Sequence, residues 1–264
     1  MIRLTTDLSD PLLELINAGQ APVDAVEVGP WFTVQQIHAY RQRLPALPFY
    51  FHGGDLIERV GFIPGATARI ASYQRCTASP WVSLHITMWL PGMVWLMLRH
   101  RWRIPLPDPD RATRRFIGQV TRLRRSIGTP VLLENTEPLP FEGYDFEVQP
   151  GRITDVLEKT DCGFVLDTGH ARVSAAVLGM DVQAYLSSLP LNRVMQVHVS
   201  GPRVRDGRLV DAHESLQEMD YGLLDFVLAR TQPEVVTLEY IRERNVLQQQ
   251  LVRLRETLKT YAGS

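Results

Sequence analysis

The chain has 264 residues, 45% of them hydrophobic and 22% charged, with a formal net charge of -1. That is ordinary globular composition, long enough to bury a large core. The near-neutral balance excludes a global field that would draw nucleic acid or an anionic membrane to the surface. Two cysteines, Cys76 and Cys162, match neither a disulfide framework nor a zinc-ribbon spacing. No basic-then-apolar leader opens the chain, which points to a cytoplasmic setting.

Short β-branched or aromatic runs alternate with helical patterns along the chain. A strand over Ile2 to Leu4 leads to a helix over Pro11 to Ala18, and a strand over Ala25 to Val28 to a helix over Thr33 to Arg43. The third strand, Leu47 to His52, and the fourth, Trp81 to Ile86, are joined by the only link without a clear helical pattern. The most apolar stretch, Trp81 to Leu98, is broken by His85, Pro91 and Gly92, so it does not read as a membrane span. A helix over Asp110 to Ile127 follows, with Asp110 as candidate cap and Gly128-Thr129-Pro130 as stop. Then come a strand over Val131 to Glu134, a helix over Arg152 to Thr160, and a strand over Gly163 to Asp167. A helix over Asp181 to Leu186, capped by Asp181, precedes the strand Val194 to Val199. A helix over Gly222 to Ala229, a strand over Val235 to Glu239 and a helix over Arg242 to Tyr261 complete the pattern. Eight strands with crossovers of this kind predict a (β/α)8 barrel, read as one domain over residues 1–264.

Barrel active sites are built from the carboxyl ends of strands and the loops beyond them. His52, His85, Glu134, Asp167, His198 and Glu239 each end a predicted strand, so six strands aim a ligand into one mouth. His170 follows Asp167 by three residues, where a tight turn through Thr168-Gly169 can return its ring. Asp211 and His213 flank Ala212, and in an extended segment residues two apart face one side. Imidazole and carboxylate are ligands for divalent first-row metals, and these nine side chains exceed the need of one ion. A lone strand-end histidine is ordinarily a hydrogen-bonded core residue. Four carboxylates buried together without cations would instead cost several kcal/mol each or be forced to protonate. Two or three ions are therefore expected. His38, in a helical pattern, and His100, in a basic run, are left as structural residues.

Asn135, beside Glu134, can orient that carboxylate, touch substrate or satisfy backbone. The aromatics Phe141, Tyr144 and Phe146 lie in a proline-stiffened loop after the Glu134 strand, where they can close the mouth as a lid or plug the barrel. Gly53-Gly54 can let backbone approach a ligand or form a plain turn. The arginines between Arg99 and Arg125, with Trp102, are the only concentrated positive charge, and helical spacing spreads several over a solvated face. Neither cysteine has the neighbours of a nucleophile, and the serine-hydrolase, P-loop and dinucleotide signatures are absent.

Leu84-His85, Leu133-Glu134-Asn135, Leu166-Asp167-Thr168-Gly169-His170, Val197-His198, Asp211-Ala212-His213 and Leu238-Glu239 resemble the xylose-isomerase-like barrels with trinuclear sites, of which endonuclease IV is the archetype. The wider context, Asp161 to Asp167, Val173-Ser174-Ala175, Gly179-Met180-Asp181, Tyr185-Leu186 and Val197 to Gly201, resembles the multinuclear non-haem iron oxidative enzymes of methanobactin-biosynthesis type. That resemblance implies a two- or three-iron site that uses dioxygen to modify a side chain, often cysteine, of a ribosomally made peptide presented by a partner protein. It also implies that Glu134 bridges two ions, with Asp167, His198 and Glu239 on one and His52 and His85 on the other. His170, Asp211 and His213 would hold the third. Glu134, Asp167, His198 and Glu239 are the catalytic candidates. Zinc or manganese accepts the same ligands and would support a hydrolase or isomerase acting on a sugar, phosphate ester or nucleic acid. A metal-retaining scaffold is the third possibility.

Overall fold

A computed structural model of the chain describes residues 1–61, 63–88, 108–139 and 143–261. Its strands are β1 (Arg3–Thr6), β2 (Val26–Val28), β3 (Phe49–His52), β4 (Val82–His85), β5 (Val131–Glu134), β6 (Gly163–Asp167), β7 (Val194–Val199), β8 (Arg203–Arg205), β9 (Arg208–Val210) and β10 (Val235–Leu238). Eight of them pair in parallel in the order β1-β10-β7-β6-β5-β4-β3-β2, with β8 and β9 as a separate antiparallel hairpin. The two ends of that order meet through a single bridge between Asp7 and Glu27. Leu8 N–H donates to the Glu27 carbonyl at 2.8 Å, and Asp24 N–H to the Leu4 carbonyl at 2.8 Å. The result is a nearly closed (β/α)8 barrel, as the alternation of runs predicts.

Helices cover the outside: α1 (Asp10–Asn17), α2 (Val34–Arg43), α3 (Ala66–Thr77), α4 (Pro109–Ile127), α5 (Pro150–Thr160), α6 (Thr168–Leu178), α7 (Val182–Ser188), α8 (Glu218–Leu228) and α9 (Arg244–Thr260). Because helices cover the strands from outside and side chains fill the lumen, β2, β3, β5 and β10 are buried along their whole length. Along α4, Phe116, Val120 and Leu123 recur at helical spacing and face the core, while Arg111, Arg114, Arg122 and Arg125 are turned outward. The basic helix is thus a solvated face, and Arg99, Arg101 and Arg103 lie outside the described residues. Among the described residues no helix is long and apolar enough to cross a membrane.

Three local features differ from the sequence expectations. The link between β3 and β4 does contain a helix, α3, preceded by a 3-10 segment over Gly54–Arg59. A further helix, α6, starts at Thr168, directly after β6, in place of a tight turn. The β8–β9 hairpin turns on Asp206 and Gly207, both left-handed at φ 50 and 75, an Asp-Gly turn whose twist matches the strands it joins. The cap of α4 is also corrected. Asp108, not Asp110, accepts from the backbone of Asp110 and Arg111 at 3.1 Å.

Removing that cap should cost about 1 kcal/mol of stability. Asp110 only pairs with Arg152 at 3.2 Å from an exposed position, so its loss should cost less than about 0.5 kcal/mol. Urea denaturation of Asp108→Ala and Asp110→Ala checks the order, and equal losses would contradict the assignment.

Candidate metal centre

Parallel register decides which strand ends meet. His85 lies opposite Glu134, and Asp167 opposite His198. Glu134, Asp167 and His198 have no solvent exposure, and His52, His170 and Glu239 are almost as deeply buried. Glu134 is the hub. Its Oε1 is 3.4 Å from His198 Nδ1 and 3.5 Å from His170 Nδ1, and its Oε2 is 3.4 Å from His52 Nδ1 and 3.9 Å from His85 Nε2. Glu239 Oε1 lies 2.9 Å from His198 Nδ1.

Two groups could each hold an ion and share Glu134: His52, His85 and Glu134 on one side, Glu134, Asp167, His198 and Glu239 on the other. Both Glu134 oxygens, Asp167 Oδ2, His198 Nδ1 and Glu239 Oε2 are buried without a hydrogen-bond partner. Buried polar atoms are normally satisfied, and lone pairs converging within 4.8 Å of one another fit a cation better than any donor the chain supplies. The remaining trio meets around Asp211, whose Oδ2 is 2.6 Å from His213 Nε2 and 3.4 Å from His170 Nε2. His213 meets Asp211 from a left-handed backbone, φ 46. Its side chain is 47% exposed, which puts it at the outer lip.

Local structure serves the same end. Asp167 caps α6 by accepting from His170 N–H through Oδ1, which leaves Oδ2 facing the cluster. The Asp-x-x-His spacing is therefore also a helix cap. Asn135 spends its amide on the Asp167 backbone, donating to its carbonyl and accepting from its N–H at 2.9 Å each. Asn135 is fully buried and holds the end of a strand. Tyr144 and Phe146 are packed in the core, and Phe141 lies outside the described residues. Gly54, left-handed at φ 50, passes over the histidines, and a Cβ there would sit 3.7 Å from His85 Cε1. Burial raises the Cys162 thiol to about 11, in keeping with a core residue.

The inner histidines His52, His85 and His170 are braced through Nδ1, and His52 and His85 also meet Nε2 to Nε2 at 3.1 Å. His52 Nδ1 meets Ser83 Oγ at 3.1 Å, His85 Nδ1 meets Asp55 Oδ1 at 2.9 Å, and His170 Nδ1 donates to the Asn135 carbonyl at 2.9 Å. Metal-binding imidazoles are commonly oriented this way. Three carboxylates at the site escape a reading of the sequence: Asp7, Glu27 and Asp55. Glu27 is the most telling, a charged side chain inside a short, wholly buried strand, and it lies close enough to His52 and His198 to share an ion. Burial, with Glu239 and Glu27 nearby, pushes the Asp7 carboxyl well above its usual range.

Charge is balanced internally. Burial opposes ionisation of Glu134, but the His198 and His52 rings hold it well below the usual carboxylate range, and His198 with His213 holds Glu239 at about 2 against the same burial. Burial disfavours protonated His198 and His170, yet Glu134, Glu27 and Glu239 raise the first and Asp167, Asp211 and Glu134 the second well above 6.5. His213, against the same desolvation, is lifted to about 10 by Asp211 and Glu239. Burial, with Glu239, Asp211 and Glu134 outweighing His170, brings Asp167 to about 7.

Against the same burial, carboxylate neighbours raise His85 as well as His170, His198 and His213, so in the metal-free protein a cation competes with protons for these imidazoles. Affinity for divalent ions should thus rise as pH increases from about 6 to about 8. Calorimetry in buffers of different ionisation enthalpy should register net proton release, and its absence would contradict these protonation states.

Residues 64–259, more than half of the chain, match the family described as the RiPP precursor modification enzymes MbnB/TglH/ChrH. A UPF0276 protein of Bordetella pertussis is 33% identical over 150 residues, 54% of this chain and 51% of that protein. A UPF0276 protein of Pseudomonas aeruginosa is 26% identical over 217 residues, 76% of this chain and 72% of its own. The chain spans about half the length of the first of these curated relatives. Among solved structures, an L-ribulose 3-epimerase superposes with a TM-score of 0.65 at 14% identity, covering 99% of this chain and 96% of its own. A xylose isomerase-like TIM barrel protein of Mycobacterium smegmatis, solved with magnesium, gives 0.61 at 13% identity, with 98% and 97% covered. At such identities these structures establish the fold alone, a xylose isomerase-like TIM barrel. The long match, which runs over every strand from β4 to β10, settles the lineage: the chain belongs to the MbnB/TglH/ChrH family of RiPP precursor modification enzymes.

Proposed function

We propose that the protein is a multinuclear iron enzyme that uses dioxygen to modify a side chain of a ribosomally made peptide. The observation that carries this reading is the sharing of Glu134 between two ligand groups whose remaining atoms are buried and largely unpartnered. Family membership supplies the substrate class. In this reading Glu134 bridges two ions, His52 and His85 complete one, and Asp167, His198 and Glu239 the other. His170, Asp211 and His213 hold a third at the lip. When bound, iron with open coordination positions supplies dioxygen reduction and abstraction of hydrogen from substrate.

The chain's own residues define the rest. Burial of Glu134 and Asp167 excludes water from the inner pair. The exposed His213 marks the face that a peptide can reach. Beside it, Asp211 N–H donates to Glu137 Oε2 at 3.2 Å. Glu137 also lines an apolar groove of about 700 Å³ between Leu139, Val173, Val177, Leu209 and Val210, with room for side chains flanking the modified residue. A partner protein that presents the peptide is part of this proposal.

Metal analysis and oxygen uptake of anaerobically purified protein test the iron. Iron approaching two or three equivalents, with iron-dependent oxygen uptake on addition of the precursor peptide, is expected. Stoichiometric zinc without such uptake would overturn the oxidative reading and leave a zinc-dependent hydrolase or isomerase.

Glu134→Ala should lose more than one ion, since a bridging carboxylate serves two, whereas His213→Ala should chiefly deplete the third. Elemental analysis showing an equal loss from both variants would contradict these roles.

A further inference from the structure

Below the cluster the barrel interior holds a chain of polar side chains that the ligand groups above do not use. The Trp81 indole is only a donor, and it donates to Gln196 Oε1 at 3.0 Å, which fixes the orientation of that amide. The Gln196 amide nitrogen then has two N–H groups for three neighbours: Glu27 Oε2 at 2.6 Å, Thr237 Oγ1 at 2.8 Å and His198 Nε2 at 2.9 Å. Glu27 Oε1 has no other hydrogen-bond partner and lies 3.2 Å from the same His198 nitrogen. A proton on Nε2 gives that oxygen a donor and leaves Nδ1, which faces Glu239 Oε1 and Glu134 Oε1, as the nitrogen open to a cation.

We propose that Glu27, held by Gln196, is a positioning residue that fixes His198 in the tautomer presenting Nδ1 to the metal centre. This inference rests on the cluster being a metal centre. It makes His198 the exception in the ring, because His85 and His170 are engaged through Nδ1 and present Nε2. Glu27 acts from 1% exposure on β2, which, like β1, carries no ligand of its own in the proposed set. The competing role is direct ligation, since Glu27, His52 and His198 lie close enough to share an ion.

The test is titration of the full-length, metal-stripped protein with cobalt(II), reading both the stoichiometry and the visible band of the bound ion. Wild type, Glu27→Gln and Glu27→Leu are compared, with melting of each metal-free protein as a control for folding. Loss of a hydrogen-bond partner to a metal-binding histidine typically weakens metal affinity about 10–100-fold. Glu27→Leu should show a loss of that size with a shifted visible band and unchanged stoichiometry. Glu27→Gln, which keeps an acceptor for His198 Nε2, should weaken binding by less than about tenfold. If Glu27→Leu does not fold, Glu27→Ala takes its place with the same expectation.

Variants that bind cobalt as the wild type does would overturn the positioning role. Loss of one whole equivalent from both Gln and Leu variants would overturn it in favour of direct ligation. A folded wild type that binds no cobalt would overturn the metal-centre reading itself, an outcome distinct from both.

Discussion

Most of the architecture around the mouth follows from one constraint: carboxylates removed from water must meet positive charge. Glu134 and Asp167 are wholly enclosed and Glu239 nearly so. Uncompensated burial of even one such charge would cost several kcal/mol. The chain answers with imidazoles at neighbouring strand ends, and in the metal-free protein their protons balance the acids. Cations can take over that task because the same atoms are lone-pair donors. The site is therefore stable in either charge state only if its geometry is fixed from outside.

The fixing comes from ordinary secondary structure. A helix cap turns Asp167, an amide clasped to backbone holds the end of β6, and a 3-10 segment brings Asp55 against His85. None of these groups needs to touch an ion in order to act as a brace. Together they restrict which ring nitrogen and which carboxylate oxygen faces inward, and that is the information a coordination site requires.

The sequence carries the barrel plainly because its strands are short apolar runs ending in a polar ligand type. Val131–Glu134, Gly163–Asp167 and Val194–Val199 can be bounded to the residue in this way. The helix α6 is obscured by its own motif, since Asp-x-x-His fits both a ligand turn and a cap with its third residue. The β8–β9 hairpin has a visible signal in Asp206-Gly207, but the residues on either side alternate too weakly to announce strands. Glu27 stays hidden for a different reason. A single acid in a three-residue strand has no spacing partner, and its meaning appears only when β2 closes against β1 and faces His198 across the lumen.

That closure gives the cylinder an uneven perimeter. Seven interfaces between adjacent strands are parallel ladders, one of them, β6–β7, with a register shift between Phe164 and Val165, while the eighth hangs on the Asp7–Glu27 bridge and a few backbone contacts. Opening fluctuations concentrate where the fewest cooperative bonds must break, which makes that gap a weak seam of the barrel. Glu27 stands on the gap and also touches His198. Breathing of the staves there and slackness of an imidazole are consequently one motion, and whatever anchors the ring from above also tightens the hoop.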